Sequence, residues 1–440
     1  MTKCSTFGGL FQAPKSRRLA VGFGGGHVSS DGGVILLRGI EERLGVIRDA
    51  AKVVGKYDTR QQALVVHDIR SMLAQRILGI ACGYEDLNDH KSLCADPLIQ
   101  SVCGRDESLA SPSTLCRLEQ GASRGMNAEL SQLPVETFVK SFKTPPEELT
   151  LDFDATDSII HGNQEGRFFH GYYGHYCYLP LYVFCGHQLL AAYLRPADGD
   201  GARHAWAILA LLVKRLRKQW PGVKITFRGD SGFCRHRMLG WCERHGVGYI
   251  VGIAGNSVLK QLGAGLSAKV KAQSEATQTP QKEYGEFRYA AKTWTRERRV
   301  IHKAEHNAMG GNDRFIVTSL EGEAGALYAD VYCARGDMEN RIKEQQLDLF
   351  ADRTSSRAFA ANQLRLLLSA FAYVLMERLR ALALAETAFA SAQCRTIRLK
   401  LLKIGAVVTR NTRSLRVSLS SSYPYVEAFS LIAGRVAMLT

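Results

Sequence analysis

The chain has 440 residues, a formal net charge of +15 and a sequence pI near 9.3. That length exceeds what one hydrophobic core ordinarily supports, so two or three domains are expected, and 46% hydrophobic against 22% charged residues excludes a disordered or fibrous chain. The basic balance favours a polyanionic partner, nucleic acid ahead of an anionic membrane surface.

The N-terminus carries Lys3, Lys15, Arg17 and Arg18 with no continuous hydrophobic segment between them, so it does not read as a secretory signal. The glycine-rich GFGGGH at Gly22 to His27 lacks the Lys-Ser/Thr of a phosphate loop. Ser30 and Asp31 are placed to cap a helix carrying Val34, Leu36, Leu37, Ile40 and Leu44. A second helix is expected over 61–78, with Leu64, Ile69, Leu73 and Ile77 on its apolar side. Ser111-Pro112 then starts a helix on whose exposed turns Ser113, Thr114 and Arg117 fall. It suits the second helix of a helix-turn-helix, with Arg117 as a DNA contact. Pro145 and Pro146 break the chain and predict a domain boundary at 140–148.

The next stretch, LTLDFDATD from Leu149 to Asp157, alternates as a strand with one buried face and delivers Asp154 to its C-terminal edge. Asp152 has the same parity, so alternation alone leaves both carboxylates as candidates. Strands over 172–185 and 188–194, joined by Gly186-His187, form a hairpin, and a helix over 201–218 ends at Trp220-Pro221-Gly222. VKITFRGDSGF repeats the strand-to-carboxylate pattern, with Asp230 just past the edge. A short helix over 234–245 and an apolar strand over 248–253 follow. Three strands, helix, strand, helix, strand is the order of a ribonuclease H-like layer, whose mixed sheet gathers carboxylates at one edge.

The third carboxylate of such a layer arrives late. Residues 260–325 alternate as an inserted β-rich segment carrying Arg288, Lys292, Arg296, Arg298 and Arg299. A helix from about Asp337 then places Glu339 and Lys343 on one face, with Tyr332 and Arg335 just before it. Carboxylate oxygens at a sheet edge suit hard cations, Mg²⁺ when phosphate completes the shell. Two ions about 3.5–4 Å apart can stabilise both oxygens of an in-line displacement at phosphorus. Arg335 and Lys343 would neutralise phosphate, and Tyr332 could stack on a base.

After 354–384, a long apolar helical stretch, residues 391–440 hold Arg395, Arg398, Lys400, Lys403, Arg410, Arg413, Arg416 and Arg435 against the single acid Glu427. Such a tail of mixed strand and loop reads as a phosphate-contacting surface. The longest apolar run, Leu366 to Met376, is flanked by Arg365 and Arg378 and is shorter than a bilayer span, so no membrane contact and a cytoplasmic location are expected. The 11 cysteines are scattered without a C-x-x-C pair, which suits reduced thiols; Cys234 and Cys242 lack zinc-finger spacing to His236 and His245.

LDFDATD, HGNQEGRFFHGYYGHYCYLPLYVFCG, RGDSGFC and YCARGDMENRIKE, in that order, resemble the DDE-type transposases of bacterial insertion sequences, the branch called transposase DDE domain group 1. The resemblance implies a catalytic triad of Asp154, Asp230 and Glu339, which also bind the metal. It implies two Mg²⁺ ions, with Mn²⁺ able to substitute. The expected activity is binding of terminal inverted repeats, hydrolysis at the element's ends and strand transfer into target DNA in the bacterial nucleoid, with a homodimer holding the two ends. Tyr332, Arg335 and Glu339 fall at the spacing of the Tyr-Arg-Glu-Lys signature of related transposases. Gln346 stands where its lysine belongs, and Lys343 is the nearest lysine. The D-x-T match favours Asp154 over Asp152.

The expected architecture is α/β: a mainly helical DNA-end-binding domain at 1–145, a ribonuclease H-like catalytic core at 146–258 and 326–390, a β-rich insertion at 259–325 and a basic segment at 391–440. A nuclease that cuts without joining would share the acids. A non-catalytic repressor would share the basic surface without needing the acids.

Overall fold

The computed structural model describes residues Phe7–Gly8 and 20–439. Lys3, Lys15, Arg17 and Arg18 lie outside the described residues. The chain divides into two compact units, Met1–Glu119 with Phe371–Thr440, and Gln120–Ala370.

The second unit is built on a nine-stranded mixed sheet. Its main strands are β1 (Glu148–Ala155), β2 (Leu181–Cys185), β3 (Gln188–Tyr193), β4 (Lys224–Gly229), β5 (Gly248–Ile253), β6 (Gln281–Tyr289), β7 (Arg298–Asn307) and β8 (Arg314–Thr318). They lie in the order β6-β7-β8-β5-β4-β1-β2-β3, with Gly310–Gly311 paired on β7. β1 runs antiparallel to β2 and parallel to β4, and β4 is parallel to β5. The first five strands therefore lie 3-2-1-4-5, the arrangement the ribonuclease H-like reading requires.

Helices α1 (Ala205–Gln219) and α2 (His236–Arg244) supply the crossovers. Leu209, Leu212 and Leu216 of α1 and Leu239 and Cys242 of α2 bury against Leu149, Leu151, Phe153, Ile225 and Phe227 in one apolar cluster. Val135 and Phe138, on helix Leu133–Lys140, belong to the same cluster. The predicted boundary at 140–148 thus falls inside the second unit. Pro145 and Pro146 interrupt the backbone, but apolar side chains on both sides share one core.

Pro180 divides the strand expected over 172–185. His175–Tyr178 pairs with Ser158–Ile159 and Phe168–His170 in a small separate sheet, while β2 joins the main one. The hairpin turn at Gly186, with φ +56, is as expected.

The stretch expected as a β-rich insertion opens instead with a helix, α3 (Ser257–Thr277), capped by the Asn256 side chain, which accepts the Leu259 N–H at 3.0 Å. Its three main strands extend the core sheet through the antiparallel β5–β8 pair. Gly263 lets α3 approach β7: a Cβ there would stand 2.6 Å from the His302 ring. Arg296 and Arg298 both donate to Glu243, and Arg299 to Glu286, so these arginines serve the insertion's own anchorage while Arg288 and Lys292 stay exposed.

In the first unit, helix Val34–Leu44 starts at Gly33 without a side-chain cap. Asp31, the expected cap, is fully buried; it accepts the Tyr84 hydroxyl at 2.7 Å and pairs with Lys403 at 2.8 Å. A buried carboxylate needs a counter-charge more than a helix end needs a cap. The helix expected over 61–78 begins at Ile69, where the Asp68 side chain accepts the Ser71 N–H, and runs to Cys82.

The C-terminal segment contains strands Ala406–Arg410 and Leu415–Leu419 and a helix not anticipated there, Val426–Ala437. Several of its cations are engaged by backbone carbonyls of the first unit. Arg398 donates to the Ala81 and Ile80 carbonyls at the end of helix Ile69–Cys82, Arg410 to those of Asp106 and Pro97, and Arg435 to that of Ala383.

No disulfide joins the described cysteines. Helix Phe359–Ala383 is long and apolar enough to cross a membrane by length and composition, but 83% of its most apolar window is buried within the protein.

Candidate active site

Parallel pairing of β1 and β4 aligns Phe153 with Gly229, so both strands run out at one edge of the sheet. Asp154 lies at the end of β1. Asp230 follows β4 directly and caps the short turn Ser231–Phe233, accepting the Gly232 N–H at 2.8 Å. Helix α4 (Gly336–Lys343) carries Glu339, and Arg335 precedes it. The Arg335 guanidinium bridges two of the acids, with Nη2 2.9 Å from Glu339 Oε1 and Nη1 3.4 Å from Asp154 Oδ2. The Tyr332 hydroxyl lies against β5 at Gly252, where a Cβ would stand 2.6 Å from it and 2.9 Å from the Ser231 amide nitrogen.

Burial pushes the Asp154 carboxyl up to about 7. Arg335 opposes this, while the charges of Asp230 and Glu339 add to it. Arg335 is held above its ordinary value: burial works against its charge, and Asp154, Tyr332, Glu339 and Asp230 outweigh that. The sequence-derived Asp154, Asp230, Glu339, Arg335 and Tyr332 therefore form one electrostatically coupled group.

Asp152 is used otherwise. Only 2% exposed, it takes Arg228 Nε and Nη2 on its two oxygens, the latter at 2.7 Å, and the same guanidinium donates to the Val331 carbonyl.

Lys343 is exposed and outside the group. Gln346, one turn further on, reaches the end of β1 instead, donating to the Asp157 carbonyl at 3.0 Å. Asp157 also pairs with His175 at 2.7 Å, a contact that no motif announced. Arg117 is exposed on helix Pro112–Gln120 in the first unit, its guanidinium donating to Thr114.

Sequence reasoning also missed a cavity of about 510 Å³ lined by Arg203, His204, Trp206, Arg235 and Arg237, with Arg235 five residues past Asp230. Asp198 and Asp200 neutralise Arg203 and Arg235, whereas Arg237 has no carboxylate partner among the described residues and lies 4.2 Å over the Trp206 ring. Burial, and then the charges of Arg203 and Arg195, press the His204 proton affinity down.

The donor set fits a hard divalent cation. It is all oxygen, and Asp154 carries a charge that its acidic neighbours oppose and a cation would relieve. Among the described residues no three His, Cys, Asp or Glu side chains are close enough to hold an ion as they stand, and Arg335 lies between Asp154 and Glu339.

The family described as transposase DDE domain group 1 matches residues 11–440. The chain belongs to this family. It is thus a DDE-type DNA transposase, an enzyme acting on DNA, as the motifs led us to expect. Among solved structures, a piggyBac transposase synaptic complex with hairpin DNA is similar at 10% identity and a TM-score of 0.41, over 84% of this chain and 80% of that one. No curated protein matches this transposase significantly.

Proposed function

We propose that this transposase binds the terminal inverted repeats of an insertion sequence, cleaves the DNA at its ends and transfers the freed strands to target DNA. The observation that carries the reading is the coupling of Asp154 to Asp230 and Glu339 at one sheet edge, with Arg335 between them.

Asp154, Asp230 and Glu339 are the acids that would hold Mg²⁺ or Mn²⁺, in keeping with the divalent ions DDE transposases use. Bound there, two such ions would activate the attacking oxygen and stabilise the leaving one. The protein's own groups bind and orient. Arg335, released from the carboxylates, supplies a fork of N–H donors to a phosphate. Tyr332, fixed against Gly252, limits the approach of the strand, and Gln346 holds the end of β1. Lys343, Arg117 and the exposed arginines of the C-terminal segment contact the DNA backbone. The helices of the first unit before Gln120 supply the end-binding surface, and a homodimer brings two ends together.

The test incubates purified protein and divalent metal with DNA carrying the matching repeat and a target plasmid. Wild type is expected to nick at the repeat and yield joined product, and Asp230→Asn to bind without cutting. Wild-type-level cleavage by Asp230→Asn would remove Asp230 from the site. Cutting without joining would leave a nuclease, and binding without cutting by wild type a repressor.

A further inference from the structure

Between β1 and β2 the chain forms the small sheet of Ser158–Ile159, Phe168–His170 and His175–Tyr178, and this sheet turns aromatic side chains outward. Phe168 is 43% exposed, Phe169 57%, Tyr172 87% and Tyr176 46%. The rings meet edge to face, Phe169 with Tyr176 at 5.7 Å and Tyr172 with Tyr173 at 5.0 Å, so open ring faces remain. Arg167 lies 4.8 Å over Tyr176. From 166 to 176 there is no acidic residue, while Arg167, His170 and His175 are present. The face carrying Phe169 and Tyr176 is apolar, with Arg167 at its edge.

Its position is fixed relative to the acids. The Asp157–His175 pair ties His175–Tyr178 to the residues that directly follow Asp154, and Gln346 holds the Asp157 carbonyl. The Tyr173 hydroxyl is pushed up to about 12 by burial and then by Asp157 and Asp154, so the platform lies within reach of the Asp154 charge.

We propose that residues 167–176 are a stacking platform for unpaired bases of the DNA strand that passes Asp154. This rests on the DNA-cleaving reading of that site. In a duplex the bases stack on one another and show only their edges in the grooves. Open ring faces therefore have no counterpart on fully paired DNA. Bases that have left the stack offer faces of the same shape, and Arg167 supplies the positive charge that a strand backbone requires.

The test measures binding of labelled oligothymidylate and of a fully paired duplex, at fixed salt and without metal. The double variant Phe169→Ala/Tyr172→Ala is expected to bind oligothymidylate at least about tenfold more weakly and the duplex within about twofold of wild type. Phe169→Tyr/Tyr172→Phe, which keeps both rings, is expected to bind both as wild type does. An unchanged affinity of the alanine variant for oligothymidylate overturns the proposal and leaves the patch to a protein partner. An equal loss on both DNAs overturns it as well. A second reading uses the wild type alone: 2-aminopurine within oligothymidylate must lose emission on binding as it stacks, and unchanged emission overturns the platform. No cleavage enters these measurements. The platform can fail while the acids stand, and the acids can fail while the platform stands.

Discussion

Asp152 and Asp154 share one face of β1, yet Arg228 crosses from β4 to take both oxygens of Asp152, while Asp154 is left among other acids with Arg335 as its nearest cation. Parity could not separate them; the identity of the residue opposite each one does. Asp152→Asn would leave the Arg228 guanidinium buried without a counter-charge. We expect a loss of roughly 3–5 kcal/mol in denaturant unfolding at neutral pH. Asp154→Asn should act in the opposite direction. The folded carboxyl titrates at about 7 against an ordinary value of 3.8. Between those values the folded state keeps a proton that the unfolded chain has lost, so stability falls as pH rises through that window. The variant should melt with wild type near about pH 4 and above it near about pH 8. Equal melting at both would mean that Asp154 titrates as an ordinary aspartate.

Among the elements, β1, β4 and β5 were legible because each joins an alternating or apolar run to a turn, and α1 because its leucines recur on one stripe. Helix α3 was not. Its buried positions, Leu259, Gly263, Val270 and Ser274, include only two large apolar side chains, and its glycines resemble loop. The alternation of β6 to β8 is the stronger pattern in this stretch and masks the helix that precedes it. The glycine that hid the helix is the one that seats it, since Gly263 faces His302 on β7. Gly263→Ala should therefore destabilise by about 1–3 kcal/mol despite its higher helix propensity. A neutral or stabilising result in thermal unfolding would show that α3 can lift from β7 freely. At the site, Gln346 was visible as the residue in the lysine's place, but its hold on Asp157 depends on a turn of helix that spacing cannot orient.

Over the whole molecule, the net charge of +15 indicated a polyanionic partner but not which cations face it. In the C-terminal segment Arg398, Lys403 and Arg410 are engaged by carbonyls or by Asp31, whereas Arg413 and Arg416 are exposed. Arg413→Ala/Arg416→Ala is expected to weaken DNA binding similarly for all sequences and to lower the slope of log affinity against log salt by about 2. Arg398→Ala should lower the melting temperature and leave that slope unchanged. A slope that responds to Arg398 but not to the exposed pair would reverse the assignment.

The hydrogen bonding of β8 to β5 makes the residues after α3 part of the same sheet as the acids. From β1 to β6 there are five strand-to-strand steps, roughly 24 Å at the usual spacing. That is the rise of about seven base pairs of B-form DNA. Arg288, exposed on β6, is consequently tied to the edge that carries Asp154 by continuous sheet hydrogen bonding. Were DNA cut at Asp154 and held at Arg288, the interval between the two would be set by strand count, not by linker length.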